Sequence, residues 1–208
     1  MTDPERVDEE KRSTLRRFAA VGAAAPLAGF AESASAETGE SEARDAIYGY
    51  LATTPGAHFS KVRDDLQLGT GETQHHLRKL ADAGAVERYR DGDYKRFVAA
   101  DRFDDFEKTA LGYLRRETPR GMVIELLRDP EASPSELADT LDVSAPTVSK
   151  YAAELEERGL LSREDGYALV RPASVLVLLV RHADSFGADA VALASEADRL
   201  LSYDARGP

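Results

Sequence analysis

The chain repeats itself, one run of residues answering another. Leu66-Gln67-Leu68-Gly69 is answered by Leu141-Asp142-Val143-Ser144. The run ETQHHLRKLADAGAVERYRDGDY, Glu72 to Tyr94, is answered by TVSKYAAELEERGLLSREDGY, Thr147 to Tyr167. The offset is 75 residues through Gly84/Gly159 and Val86/Leu161, then slips at an Asp-Gly turn. Apolar positions coincide at Leu66/Leu141, Leu68/Val143 and Leu80/Leu155.

Both copies parse into the same elements. A first helix spans Ala43 to Ala52 or Gly121 to Arg128, and a short second helix Ser60 to Leu66 or Ser135 to Leu141. Ser133-Pro134 reads as the cap and first residue of the latter. After a tight turn comes a third helix with apolar residues at helical spacing, closed by Gly84 or Gly159. Two strands follow around Asp91-Gly92 or Asp165-Gly166, a strong hairpin signal. Helix, helix-turn-helix and hairpin form the winged helix-turn-helix order.

The residues that carry a family likeness lie in these runs. Leu137 to Leu161 (LADTLDVSAPTVSKYAAELEERGLL) resembles the winged-helix transcriptional regulators of prokaryotes. Phe59 to Glu87 resembles the same family through its Leu-x-Leu turn and its His-Leu-Arg-Lys-Leu run. The layout is most similar to the tandem winged-helix regulators of haloarchaea. The resemblance implies a mainly α fold with small β-wings (α+β): two tandem winged domains joined by a helix, plus C-terminal helices. It implies a regulator that binds double-stranded DNA, is not an enzyme and carries no cofactor. The alternative is a winged-helix module used for protein contact.

In such folds the third helix enters the major groove and the wing lies along the backbone. On the first third helix Leu77 and Leu80 take the inward positions, while Thr70, Gln74, His75, Arg78 and Lys79 are the candidate reading residues. Gln pairs with adenine and Arg with guanine. Arg88, Arg90, Lys95 and Arg96 are the candidate phosphate contacts of the first wing. In the second copy the candidates are Thr147, Ser149 and Lys150 on the helix and Arg163 on the wing. His76 is expected to be half-buried. Adjacent helical residues point about 100° apart, so His75 and His76 do not converge on one metal ion.

Charge separates the copies. The chain carries a formal charge of -11, with only six lysines. That pattern looks like a protein from a halophilic archaeon; at molar salt the screening length is about 3 Å, so net repulsion from DNA counts for little. Residues 57–100 hold 8 Lys and Arg against 7 Asp and Glu, and residues 101–172 hold 10 against 16. The first copy is therefore favoured as the DNA grip. The absence of cysteine removes disulfides, thiol catalysis and cysteine-based zinc sites. No glycine-rich phosphate loop, nucleophile elbow or carboxylate pair appears.

The expected organisation is a tail over 1–40, a first domain over 41–102, a connecting helix over 103–120, a second domain over 121–172 and C-terminal helices over 173–208. In the tail, Lys11, Arg12, Arg16 and Arg17 precede an apolar run from Phe18 to Ala31 and a small-residue triplet, Ala34-Ser35-Ala36. That resembles a twin-arginine export signal, although Phe18 follows Arg17 without the usual spacer. The other readings are an Ala-rich tail in which Gly22, Pro26 and Gly29 prevent a stable helix, and a start placed too early. Glu37 to Glu42 reads as a linker. The expected location is cytoplasmic, with membrane attachment or export as the alternative. Phe103 to Glu117 reads as a linking helix ended by Thr118-Pro119. Val175 to Val180 fits a strand or a helix, and two helices are preferred there and over 188–201. They would pair subunits into a homodimer, or simply cover the second core.

Overall fold

The backbone repeats wherever the sequence does. In the computed structural model, which describes residues 4–23 and 38–200, Gln67 and Asp142 both sit in the left-handed region, at φ 53° and 51°. Gly84 and Gly159 do the same at 71° and 70°. Leu68 N donates to Arg63 O at 2.9 Å, and Val143 N to Ala138 O at 3.0 Å. Ala85 N and Leu160 N donate to Leu80 O and Leu155 O, both at 2.9 Å. The turn between second and third helices and the exit from the third helix are thus built twice from one backbone plan. The described chain divides into two units at Phe103/Asp104.

The first unit runs α1 (Pro4–Ala23), α2 (Thr38–Thr53), β1 (Ala57–His58), α3 (Phe59–Asp65), α4 (Thr70–Asp82), β2 (Val86–Asp91) and β3 (Tyr94–Ala99). Its sheet is antiparallel in the order β1-β3-β2. Ile47 and Leu51 of α2, Val62 of α3 and Leu66 at its C-cap, Leu77 and Leu80 of α4, and Val86 and Phe97 of the hairpin share one buried cluster. Burying each such side chain contributes about 1.5–3 kcal/mol.

Helix α1 departs from the expectation for the tail. Leu15 is buried in the same cluster, with Phe18 and Ala19 packed against it. Phe18 meets Tyr50 edge-on at 5.2 Å. Gly22, expected to break a helix, lies inside α1 and is the point where it crosses α2. A Cβ on Gly22 would stand 2.2 Å from Asp45 O, and one on Gly49 2.0 Å from Phe18 O. The two glycines let the backbones touch, so their role is packing. Helix α2 begins at Thr38, so residues 38–42 belong to it and not to a linker. Pro26, Gly29 and the Ala34-Ser35-Ala36 triplet lie outside the described residues. Among the described residues no helix is long and apolar enough to cross a membrane.

The second unit runs α5 (Asp105–Leu114), α6 (Glu117–Arg128), α7 (Pro134–Thr140), α8 (Ala145–Glu157), β4 (Leu161–Ser162), β5 (Ala168–Leu169), α9 (Pro172–Arg181), α10 (Ala183–Phe186), α11 (Ala188–Ser195) and α12 (Ala197–Leu200). The linking helix, α5, ends at Leu114, earlier than expected, and the first helix of the second copy, expected over 121–128, already begins at Glu117 as α6. Thr118-Pro119 opens α6 and does not close α5, because a proline in a first turn forfeits no helical hydrogen bond. Asp104 and Glu107 cap α5 reciprocally, at 2.7 and 2.9 Å. Ser133 caps α7 as the sequence implies.

The apolar run Val175–Val180 is helical, within α9. The two expected C-terminal helices are four short ones through Leu200, broken at His182, at Gly187, whose φ is 146°, and at Glu196. Arginines fasten them to their own unit. Arg120 reaches Asp189 at 2.7 Å, and Arg128 reaches Glu196 at 3.0 Å. Arg115 binds the Ser185 carbonyl and lies over the Phe186 ring at 4.3 Å. The molecule is mainly helical with two small antiparallel wings.

Candidate nucleic-acid interface

Amphipathic spacing sets the orientation of α4. Thr73, His76, Leu77 and Leu80 face inward, while Thr70, Gln74, His75, Arg78 and Lys79 are exposed on the other side. Those are the five expected reading positions. His76 goes further inside than expected, to 3 % exposure, and its ring meets that of His75 edge-on at 5.3 Å. Among the described residues no group of His, Asp and Glu could hold a metal ion. The turn that presents α4 is stiffened by Thr73 Oγ1 donating to Gly69 O at 2.9 Å and by Glu72 accepting from Gly69 N at 3.3 Å.

Strand register places the wing cations. Residues directly paired across two strands share a face. Val86↔Ala99, Arg88↔Phe97 and Arg90↔Lys95 therefore lie on one face of the hairpin. Its inner part, Val86, Phe97 and Ala99, belongs to the core that α4 also packs against. Its outer part is Arg88, Arg90 and Lys95, all exposed. The apolar face of the wing thus runs out into three cations on the side that bears α4.

Arg96 is a correction. Expected among the phosphate contacts, it lies on the opposite face and is 3 % exposed. Its Nε meets Asp91 Oδ2 at 2.6 Å, and one terminal nitrogen donates to Gly56 O at 2.9 Å. Alternation predicts which face a strand residue takes, but not that a carboxylate five residues back and a carbonyl forty residues away await it. The guanidinium also lies 5.3 Å from the Tyr94 ring, which stacks on His58 at 5.4 Å. His58 Nδ1 accepts from Lys61 N at 3.2 Å and so caps α3. Burial, then the Arg96 charge and the Lys61 charge, hold the His58 imidazole below its ordinary pKa, in the neutral form that can accept. Sequence reading gave His58 no role and saw Asp91 only as part of a turn signal.

The second unit presents its equivalents differently. Ser149 and Lys150 are exposed on α8, and Thr147 is partly covered, its hydroxyl 2.8 Å from that of Ser144. Lys150 has Glu154 at 3.8 Å, and Arg116 reaches the same carboxylate at 3.7 Å. Arg163 is held by Glu156 at 2.7 Å, and that hydrogen bond depresses the Glu156 pKa. The second wing is only two residues deep on each strand. The two cations expected to meet DNA here, Lys150 on the helix and Arg163 on the wing, lie beside carboxylates.

Residues 41–111 match a family model described as an N-terminal HTH domain, and residues 122–167 match that of the MarR family. Over 130 residues the chain is 28 % identical to an uncharacterized HTH-type transcriptional regulator of Methanocaldococcus jannaschii. That alignment covers 62 % of this chain and 32 % of the relative, so the chain spans about a third of its length. The chain carries helix-turn-helix domains of the kind found in DNA-binding transcriptional regulators.

Proposed function

We propose that the protein is a sequence-specific DNA-binding regulator of transcription whose grip lies in its first winged domain, residues 41–102. The observation that supports this is the exposure of Thr70, Gln74, His75, Arg78 and Lys79 on the outward face of α4 and of Arg88, Arg90 and Lys95 on the adjoining wing. Helix α4 enters the major groove; the wing cations meet phosphate. The chain works in the cytoplasm of a salt-loving cell as a homodimer paired through the C-terminal helices, and catalyses no reaction. A footprint on the organism's own promoter DNA in molar KCl tests this reading. Folded protein that protects no site would end it.

Two substitutions sharpen the assignment. Arg78→Ala should weaken specific binding by about 1–3 kcal/mol and relax the preference at one base pair. An unchanged footprint and affinity would remove Arg78 from the groove. Arg88→Ala should weaken binding to all sequences and flatten the salt dependence by about one unit.

The second domain, residues 121–172, supports another use. Lys150 and Arg163 lie against Glu154 and Glu156, which favours protein contact over a second DNA grip. Lys150→Ala should therefore leave affinity and salt slope as they are. If its effect equals that of Arg88→Ala, the second domain also grips DNA.

A further inference from the structure

The two copies differ beside the wing, and the difference opens a cavity. In the first unit Pro55-Gly56-Ala57-His58 turns into β1, where Ala57 pairs with Phe97 and Gly56 N donates to Phe97 O at 2.9 Å. Gly56 reaches that position at φ 76°. Seventy-five residues on stands Pro130-Glu131-Ala132-Ser133. Both runs end on the residue that caps the next helix, His58 or Ser133. Glu131 replaces Gly56, and a residue with a Cβ enters the left-handed region at a cost of about 1–2 kcal/mol. The second segment folds otherwise: Ala132 N donates to Asp129 O at 3.2 Å and Glu131 N to Asp129 Oδ1 at 3.0 Å. Among the described residues no third strand joins β4 and β5.

Hairpin register locates the gap. Val86 pairs with Ala99 and its counterpart Leu161 pairs with Leu169, so Tyr167 stands where Phe97, the partner of β1, stands in the first unit. Between Pro130 and Tyr167 lies a cavity of about 370 Å³, walled further by Leu126, Leu169 and Leu176. Small-molecule sites occupy roughly 300–1,000 Å³, and an apolar hole of about 150 Å³ already admits benzene.

We propose that this cavity binds a small, uncharged, largely apolar molecule of one or two rings, seated where the first copy places its own third strand. Among the described residues no charged side chain lines it, so an ion would lose its hydration without a counter-charge there. Among the described lining residues Tyr167 carries the one polar side-chain group. Pro130 and Pro172 fix the rim, and a preformed rim lowers the entropic cost of binding. The edge of β5 is two residues long, too short a ladder to hold an added peptide strand. The site stands apart from the DNA reading, and its test uses no DNA.

Indole is a suitable probe, because the chain has no tryptophan and indole fluorescence can be read without interference. The full chain should bind it saturably and melt at a higher temperature in its presence. Amide shifts should concentrate at Tyr167, Ala168, Leu169 and Leu176. Ala168→Phe and Ala173→Phe each place a ring into the cavity from an exposed alanine. Either should weaken indole binding by at least about tenfold, a loss of about 1.4 kcal/mol. The proposal is overturned by absence of saturable binding, by shifts that map elsewhere in the unsubstituted chain, or by binding that survives both substitutions.

Discussion

Gly49→Ala should destabilise the protein by about 2 kcal/mol or more, although alanine in a helix interior is ordinarily the better residue by about 1 kcal/mol. The sign reversal is the content of the prediction. The new Cβ would stand 2.0 Å from the Phe18 carbonyl oxygen and 2.7 Å from Gly22 N, both backbone atoms. A side-chain end can swing away, but a helix backbone moves only by shifting the whole helix. Helix α1 must then leave its seat, and Leu15 and Phe18 lose the apolar cover they share with Tyr50. Those two side chains are worth about 1.5–3 kcal/mol each when fully buried. Denaturant unfolding measures the loss. Tryptic cleavage at Arg16 and Arg17 should quicken in parallel, since an undocked helix frays. A neutral or stabilising Gly49→Ala would mean that α1 does not pack on α2 in solution.

The same glycines show where sequence reading reached and where it stopped. Positions governed by local chemistry were legible. Ser133-Pro134 announced α7, Gly84 and Gly159 closed the third helices, and Gly92 turned the wing, one residue later than expected because Asp91 pairs with Tyr94. The outward face of α4 followed from periodicity alone, so Thr70, Gln74, His75, Arg78 and Lys79 emerge where spacing puts them. Positions governed by distant partners were not legible. Gly22 looked like a helix breaker because its reason for being glycine, Asp45, lies elsewhere in the chain. Thr118-Pro119 gave the right residues with the wrong sense, since a proline can end one helix or begin the next. Replacement of Gly56 by Glu131 was visible in the repeat all along. It acquires meaning only once Gly56 is seen at a positive φ beside β3.

Arg96 marks the same limit, and its substitution should have the other large effect. Arg96→Met removes the guanidinium that meets Asp91, a carboxylate itself only 12 % exposed at its side chain. Breaking such a pair costs about 3–5 kcal/mol, mostly because the remaining charge stays desolvated. Arg96→Lys should recover only part of this. An ammonium lacks the planar fork that reaches Asp91 and the Gly56 carbonyl together. The double substitution Arg96→Met with Asp91→Leu should cost less than Arg96→Met alone, because the desolvated carboxylate goes with the guanidinium. Salt separates this pair from surface ones: Lys61–Asp65, with both side chains 40 % exposed, should weaken at molar KCl, whereas the Arg96 coupling should persist. A double-substitution cycle at low and high KCl measures both. In the DNA assay, Arg96→Met should cost affinity indirectly, because the guanidinium ties the hairpin that carries Arg88, Arg90 and Lys95 to the turn at Gly56. If Arg96→Met left stability unchanged yet flattened the salt dependence of DNA binding by a full unit, Arg96 would be a phosphate contact after all, and the buried pair would not describe the protein in solution.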